Sequence, residues 1–197
     1  MNIGIFIYPD AEVLDFSGPF EVFSTAGRFL TNPPQVFFIA ESTQPVVARG
    51  GMQVLPHYDI ANHPKLDLLV VVGGVHTEML NNIPVIEWLA QVRATQLVSI
   101  CTGAFLLAKA KRYQNMQVTT HWEDQVDLAN MFPDLEVLPD LRWVNGEFGY
   151  SSGGISAGID LSLHLVEKYY GASIAKSTAL QMEYRWQQDP KENSNEQ

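Results

Sequence analysis

The sequence predicts an α/β domain built on a mostly parallel sheet. Three observations carry that reading. Short β-branched runs alternate with stretches of helical period, the run Leu68-Leu69-Val70-Val71-Val72 is apolar without a break, and it closes on Gly73-Gly74. Such alternation is the signature of strands covered by crossover helices, and an unbroken apolar run is expected of a central parallel strand buried on both faces.

In chain order, residues 2–8 read as the first strand, ended by Pro9. A helix is expected over 18–26 and a strand over 35–40. Arg49-Gly50-Gly51-Met52 lies between short apolar runs and signals a hairpin. Strands follow at 66–72 and 96–100, separated by a helix over 85–95 with Pro84 near its start, where a missing N–H matters little. Helices are then expected over 104–111 and 122–131. Asn145-Gly146, between 141–144 and 148–151, favours a two-residue type I′ hairpin turn. Ser151-Ser152-Gly153-Gly154 lacks the lysine and spacing of a Walker motif, so it reads as a tight strand-to-helix connection. The last helices are expected over 159–170 and 173–186. No repeat or linker interrupts the pattern: residues 1–187 read as one domain and 188–197 as a polar, flexible tail.

Composition narrows the function classes. Of 197 residues, 46% are apolar and 17% charged, a balance that excludes intrinsic disorder. Twelve basic residues against 22 acidic ones give a net charge of −10, a field that repels phosphate backbones. The one basic cluster, Lys109, Lys111 and Arg112, fits the end of a helix, so no nucleic-acid partner is expected. A single cysteine forbids an internal disulfide, the N-terminus does not read as a signal segment, and no window is apolar enough to span a membrane. A cytoplasmic protein without a membrane partner is expected.

Cys101 follows the strand at 96–100 and precedes the helix at 104–111, so it falls where a strand turns into a helix. Unpaired N–H groups at such a turn favour anions, which would lower a thiol pKa, and Gly103 permits the turn to be tight. Ligands also gather at the carboxyl ends of parallel strands. The alternative is a small buried apolar residue, the commonest role of a free cysteine. Asp15 reads either as the N-cap of the following helix or as a general acid or base facing Cys101. Gly73-Gly74 reads as a structural turn or as backbone donors aimed at a reacting atom. The five histidines show no metal-ligand spacing, so neither a metal nor a cofactor is expected.

Taken together, LDFSGPFEVF from Leu14, DLLVVVGG from Asp67, SICTGAFLLA from Ser99, VTTHW from Val118 and SGGISAGIDLSLHLV from Ser152 resemble the DJ-1/PfpI (ThiJ) superfamily. The branch most similar contains the isonitrile hydratases and the amidase-like domains of AraC-type regulators. The resemblance implies a flavodoxin-like three-layer sandwich with helices on both faces, and a homodimer. It implies Cys101 as nucleophile, Asp15 as its acid partner, and Gly74 and Thr102 as backbone donors near the reacting centre, with the Thr102 hydroxyl also there. The reaction it implies is hydration of a small isocyanide to an N-substituted formamide through a Cys101 thioimidate.

The departures from the pattern are as informative. Thr102 stands where peptidase-like members carry histidine, so proteolysis is not expected. Val72 replaces a common proline before Gly73 and Gly74, and His76 replaces a common glycine near the pocket mouth. His121 matches a histidine that lies near the cysteine in parts of the family, and reads equally as a structural histidine. Beside the hydratase stand two alternatives: a free-standing small-molecule sensor similar to the regulators' domain, without their DNA-binding extension, and a stress or redox protein.

Overall fold

The structure is a computed structural model and describes residues 1–191. Its main sheet is laid down by β1 (Asn2–Phe6), β2 (Gln35–Ala40), β5 (Tyr58–Asp59), β6 (Leu66–Val71), β7 (Ala94–Ile100), β10 (Trp143–Asn145) and β11 (Tyr150–Ser152). Among the described residues the strand order is β10-β11-β7-β6-β1-β2-β5, parallel throughout except for the edge strand β10. Two short pairs sit apart from it: the antiparallel β3 (Val46–Val47) and β4 (Gln53–Val54), and the parallel β8 (Gln117–Val118) and β9 (Glu136–Val137).

Among the described residues, six α-helices flank the sheet. α1 (Val13–Gly27), α5 (Ala157–Tyr170) and α6 (Ala172–Gln181) pack on one another, and α2 (Ile83–Gln91) packs on α3 (Gly103–Lys109), while α4 (Gln125–Met131) lies against β9. None of the described helices is long and apolar enough to cross a membrane. The core follows the pattern read from the sequence: Ile3, Ile5, Leu68, Leu69, Val70 and Val71 of β1 and β6 are at most 1% exposed. Central strands buried on both faces leave no polar alternation to see.

The register aligns the strand ends. Phe6 pairs with Val71, Val71 with Ser99, and Ser152 with Ile100. The residues that follow β1, β6, β7 and β11 therefore emerge side by side along one edge of the sheet, which places Tyr8, Gly73, Cys101 and Gly153 together.

Several boundaries differ from the sequence reading, each for a physical reason. α1 begins at Val13, five residues before the expected start, because Pro19 sits inside the helix rather than at its first position. There it removes one bond, the one that would reach the Asp15 carbonyl. The Asn145-Gly146 hairpin is not a two-residue turn: Asn145 is still paired with Tyr150, and residues 146–149 form the connection, closed by Gly146 N–H donating to Gly149 O at 2.9 Å. α2 stops at Gln91 because residues from Ala94 onward pair with β6. α6 ends at Gln181, where Glu183 takes a left-handed φ of 51° and Tyr184 N–H returns to Ala179 O. The 122–131 helix splits into a 3₁₀ turn and α4.

Beyond α6 the chain runs back along α5. Asp160, fully buried, accepts from Arg142 Nε at 2.8 Å, from the Tyr184 hydroxyl at 3.1 Å and from the Gln187 amide at 2.9 Å. Arg142 N–H donates to Pro190 O at 2.7 Å, so residues 187–190 are tied to the domain. Of the tail expected over 188–197, residues 192–197 lie outside the described residues.

Candidate active site

Cys101 occupies a sharp elbow. Its φ is 55°, in the left-handed region that a residue with a Cβ enters at a cost of about 1–2 kcal/mol. β11 and the segment after β8 fix the elbow from two sides. Cys101 N–H donates to Ser152 O at 3.1 Å, and the Thr120 hydroxyl donates to Cys101 O at 2.7 Å. The turn needs glycine next to it: a Cβ on Gly103 would meet the Val71 carbonyl, with its carbon at 2.8 Å. The elbow thus lifts the sulfur above the sheet edge while leaving Cys101 only 7% exposed.

Asp15 is fully buried opposite it. Gly73 N–H donates to Oδ2 and Ile155 N–H to Oδ1, each at 3.0 Å, and the carboxyl shares a hydrogen bond with the Cys101 thiol. Of the two readings of Asp15, the N-cap is excluded: the residue lies inside the first turn of α1, and the cap position is Glu12. Burial is the main cause that raises its pKa from 3.8 to about 7, against the lowering pull of the two amides. Burial also pushes the Cys101 thiol up, with the Asp15 charge adding to it, while the Thr102 N–H at the sulfur acts the other way. Two acids so placed resist ionising together, so the thiol keeps its proton while Asp15 titrates near neutral pH.

A raised carboxyl pKa in the fold has a definite sign for stability. Its contribution is complete below about pH 4, where Asp15 is protonated folded or unfolded, and is lost as pH rises towards about 7. Asp15→Asn removes that slope. In urea unfolding at pH 4.5 and pH 8, the variant is expected to gain about 3 kcal/mol on wild type between the two conditions. Parallel pH dependence in the two proteins would contradict the assignment.

The glycine pair serves the site from within. Gly73 N–H is engaged by Asp15, and Gly74 N–H donates to Thr102 Oγ1 at 3.0 Å. The same Thr102 hydroxyl donates to Gly74 O at 3.0 Å. The backbone donor expected of Gly74 is therefore turned to Thr102 rather than to a reacting atom, and Thr102 N–H is the amide at the sulfur. Close approach is what Gly73 provides: its Cβ would lie 2.6 Å from Cys101 Cβ and 2.8 Å from Asp15 Oδ2.

The two histidines lie on either side. His76 rests on Phe105, with ring centroids 4.4 Å apart, and burial lowers its pKa, which favours the neutral ring. His121 borders Gly154, whose Cβ would meet its ring and would stand 3.3 Å from Cys101 Sγ. His121 Nδ1 lies 3.5 Å from Asp124 Oδ2 and 3.7 Å from Glu123 Oε2. A polar cleft of about 220 Å³ opens beside His121, lined by Thr120, His121, Gln125, Arg142, Gly154 and Ser156 among others. Among the described residues, no three His, Cys, Asp or Glu side chains are grouped to hold a metal.

Three residues were passed over in the sequence. Thr120 stands beside His121 and holds the elbow, Ile155 supplies an amide to Asp15, and Tyr8 is 2% exposed behind the site. Only Tyr8 carried a signal: a polar-tipped aromatic at the carboxyl end of the first strand, where ligands of such sheets gather.

The DJ-1/PfpI family model matches residues 1–168. An isonitrile hydratase of Pseudomonas putida is 28% identical over 188 residues, covering 93% of this chain and 78% of that protein. The HTH-type transcriptional regulator CdhR of Pseudomonas aeruginosa is 29% identical over 171 residues, which are 86% of this chain and 51% of the regulator. A crystal structure of a ThiJ/PfpI family protein from Pseudomonas syringae superposes with a TM-score of 0.84 at 23% identity, covering 99% of this chain and 78% of that one.

Proposed function

The chain belongs to the DJ-1/PfpI family, and from that premise we propose that it is a cysteine-dependent hydro-lyase that hydrates a small isocyanide to an N-substituted formamide. The observation that carries the reading is the buried Asp15 carboxyl held against the Cys101 thiol with a pKa of about 7, which suits a group that must both give and take a proton near neutrality. The Cys101 sulfur forms a bond to the terminal isocyanide carbon. The lone pair on that carbon takes the Asp15 proton, leaving a thioimidate. Water then adds to the carbon, giving one proton to the Asp15 carboxylate and one to the nitrogen. Finally the C–S bond breaks and its electron pair returns to sulfur, releasing the formamide. The thiol's high resting pKa suits this order, since the proton that leaves sulfur passes to the adjacent carboxylate.

The test is direct incubation with several small isocyanides and detection of the formamide by mass spectrometry. A folded protein inert toward all of them ends this reading.

The likeness to CdhR favours a second reading, a small-molecule sensor. Saturable ligand binding that survives Cys101→Ala with no product formed would select it. Either way the partner is a small molecule, and the unit is a homodimer. The apolar groove between α1 and the β3–β4 pair is the surface that fits a second copy: Leu14, Phe20, Met52 and Leu55 line it, and Leu55 is 68% exposed.

A further inference from the structure

One buried hydroxyl beside the site is poorly satisfied by the fold. Tyr8 follows β1 at the sheet edge where Gly73 and Cys101 emerge, and it is buried to 2% exposure. Its ring is held in the core against Phe6, with centroids 6.0 Å apart. Its backbone is fixed as well, because Tyr8 O accepts from Ala11 N–H at 3.0 Å, in the loop that bridges to Gly74. Yet the Tyr8 hydroxyl, fully buried, makes no hydrogen bond of good geometry among the described residues. The Thr102 hydroxyl lies close enough to lower the phenol's pKa, but it already donates to Gly74 O and accepts from Gly74 N–H, which leaves it a poorly placed partner. Asp15 and Cys101 are the charged neighbours that the phenol senses.

A buried hydroxyl without a well-aligned partner is unusual, because folding takes it from water and returns little. At a site where negative charge develops, such a rotor is a donor waiting for an acceptor. The Thr102 N–H and side chain favour the ionised Cys101 sulfur, and Asp15 opposes ionisation there once it is itself charged. We propose that Tyr8 is a further site residue, whose hydroxyl donates a hydrogen bond, directly or through one water, to the Cys101 sulfur when the thiol is ionised. It is a positioning and charge-stabilising group for the nucleophile. This rests on Cys101 acting as a thiolate, as the proposed function requires, but it does not depend on which electrophile the thiolate meets.

The charged and titratable groups around the sulfur are Asp15 from α1 with Glu12 beside it, Asp124 before α4, His121 across Gly154, and His76 next to Gly74. Tyr8 is uncharged near neutrality, and its hydroxyl lacks a well-aligned partner among the described residues.

The test reads the thiol itself. Iodoacetamide alkylation of Cys101 is followed across pH in wild type and Tyr8→Phe, alongside urea unfolding of both. The proposal expects alkylation slower by about tenfold or more at a fixed pH below the midpoint, with the midpoint moved to higher pH. It also expects an unfolding midpoint unchanged or raised, since phenylalanine removes a poorly partnered buried group. A folded Tyr8→Phe protein with the wild-type alkylation profile overturns it. Because Asp15 is hydrogen-bonded to the thiol and its charge opposes ionisation there, the pair is repeated in Asp15→Asn. A Tyr8-dependent shift that persists there supports the proposal, and one that vanishes assigns the effect to Asp15 and overturns it. Inertness toward isocyanides leaves this readout intact, so the two readings fail separately.

Discussion

Cys101→Ala is expected to lower turnover of a small isocyanide by at least about a thousandfold while leaving a folded protein. The large effect follows from covalent chemistry: without sulfur no thioimidate forms, and binding and proton transfer alone recover only a small part of the rate. Asp15 remains in place but has nothing to protonate. The fold tolerates the change because alanine fills most of the volume and the elbow is held by backbone contacts, Cys101 N–H to Ser152 O and the Thr120 hydroxyl to Cys101 O. A companion variant isolates the strain. Cys101→Gly is expected to be more stable than Cys101→Ala by about 0.5–1 kcal/mol, because glycine enters the φ of 55° without a Cβ penalty. Formamide production retained in Cys101→Ala would remove the nucleophile from the mechanism. Equal stability of the two variants would mean that the elbow stores no strain.

The second large effect is structural. Gly103→Ala places a methyl group against the carbonyl of Val71, with the Val71 carbonyl carbon at 2.8 Å and Val72 O at 3.0 Å. Both belong to backbone at the end of β6, a strand paired on one side with β1 and on the other with β7. A flexible side chain would give way, but a central strand does not. The expected loss is about 3 kcal/mol or more, with Tm lower by roughly 10 °C. What survives folding should alkylate at Cys101 with an altered rate, since the same displacement moves Thr102 and its N–H. Thermal unfolding at wild-type Tm would show that β6 and α3 separate freely there.

The sequence discloses the frame of this site better than its wiring. Unbroken apolar runs identified β6, and its closing glycines marked the edge where Asp15 and Cys101 meet, because burial on both faces writes itself into composition. Cys101 at a strand-to-helix turn was legible for the same reason. Pairing across the chain was not. Whether Asp15 caps a helix or faces a thiol depends on which amides reach its two oxygens, and those come from Gly73 and Ile155. No local pattern encodes a partner so distant. The Gly74 amide shows the same limit, since the spacing that places it near the centre does not tell that Thr102 accepts from it. The early start of α1 was not legible either, because Pro19, which ordinarily interrupts a helix interior, sits well inside α1.

The two acceptors of Asp15 also set an order of events during synthesis. Its Oδ2 is satisfied by an amide from residue 73, but Oδ1 waits for residue 155, made only after β1, β2, β6 and β7. The same holds for Cys101, whose N–H is received by Ser152 at the start of that late segment. A nascent chain released short of β11 can pair β1, β2, β6 and β7 into a sheet, yet its carboxyl is half satisfied and its elbow unanchored. Chemical competence at the thiol is thus acquired late, after the sheet that carries it is in place. A fragment truncated before residue 150 should hold an ordinary cysteine rather than a prepared one.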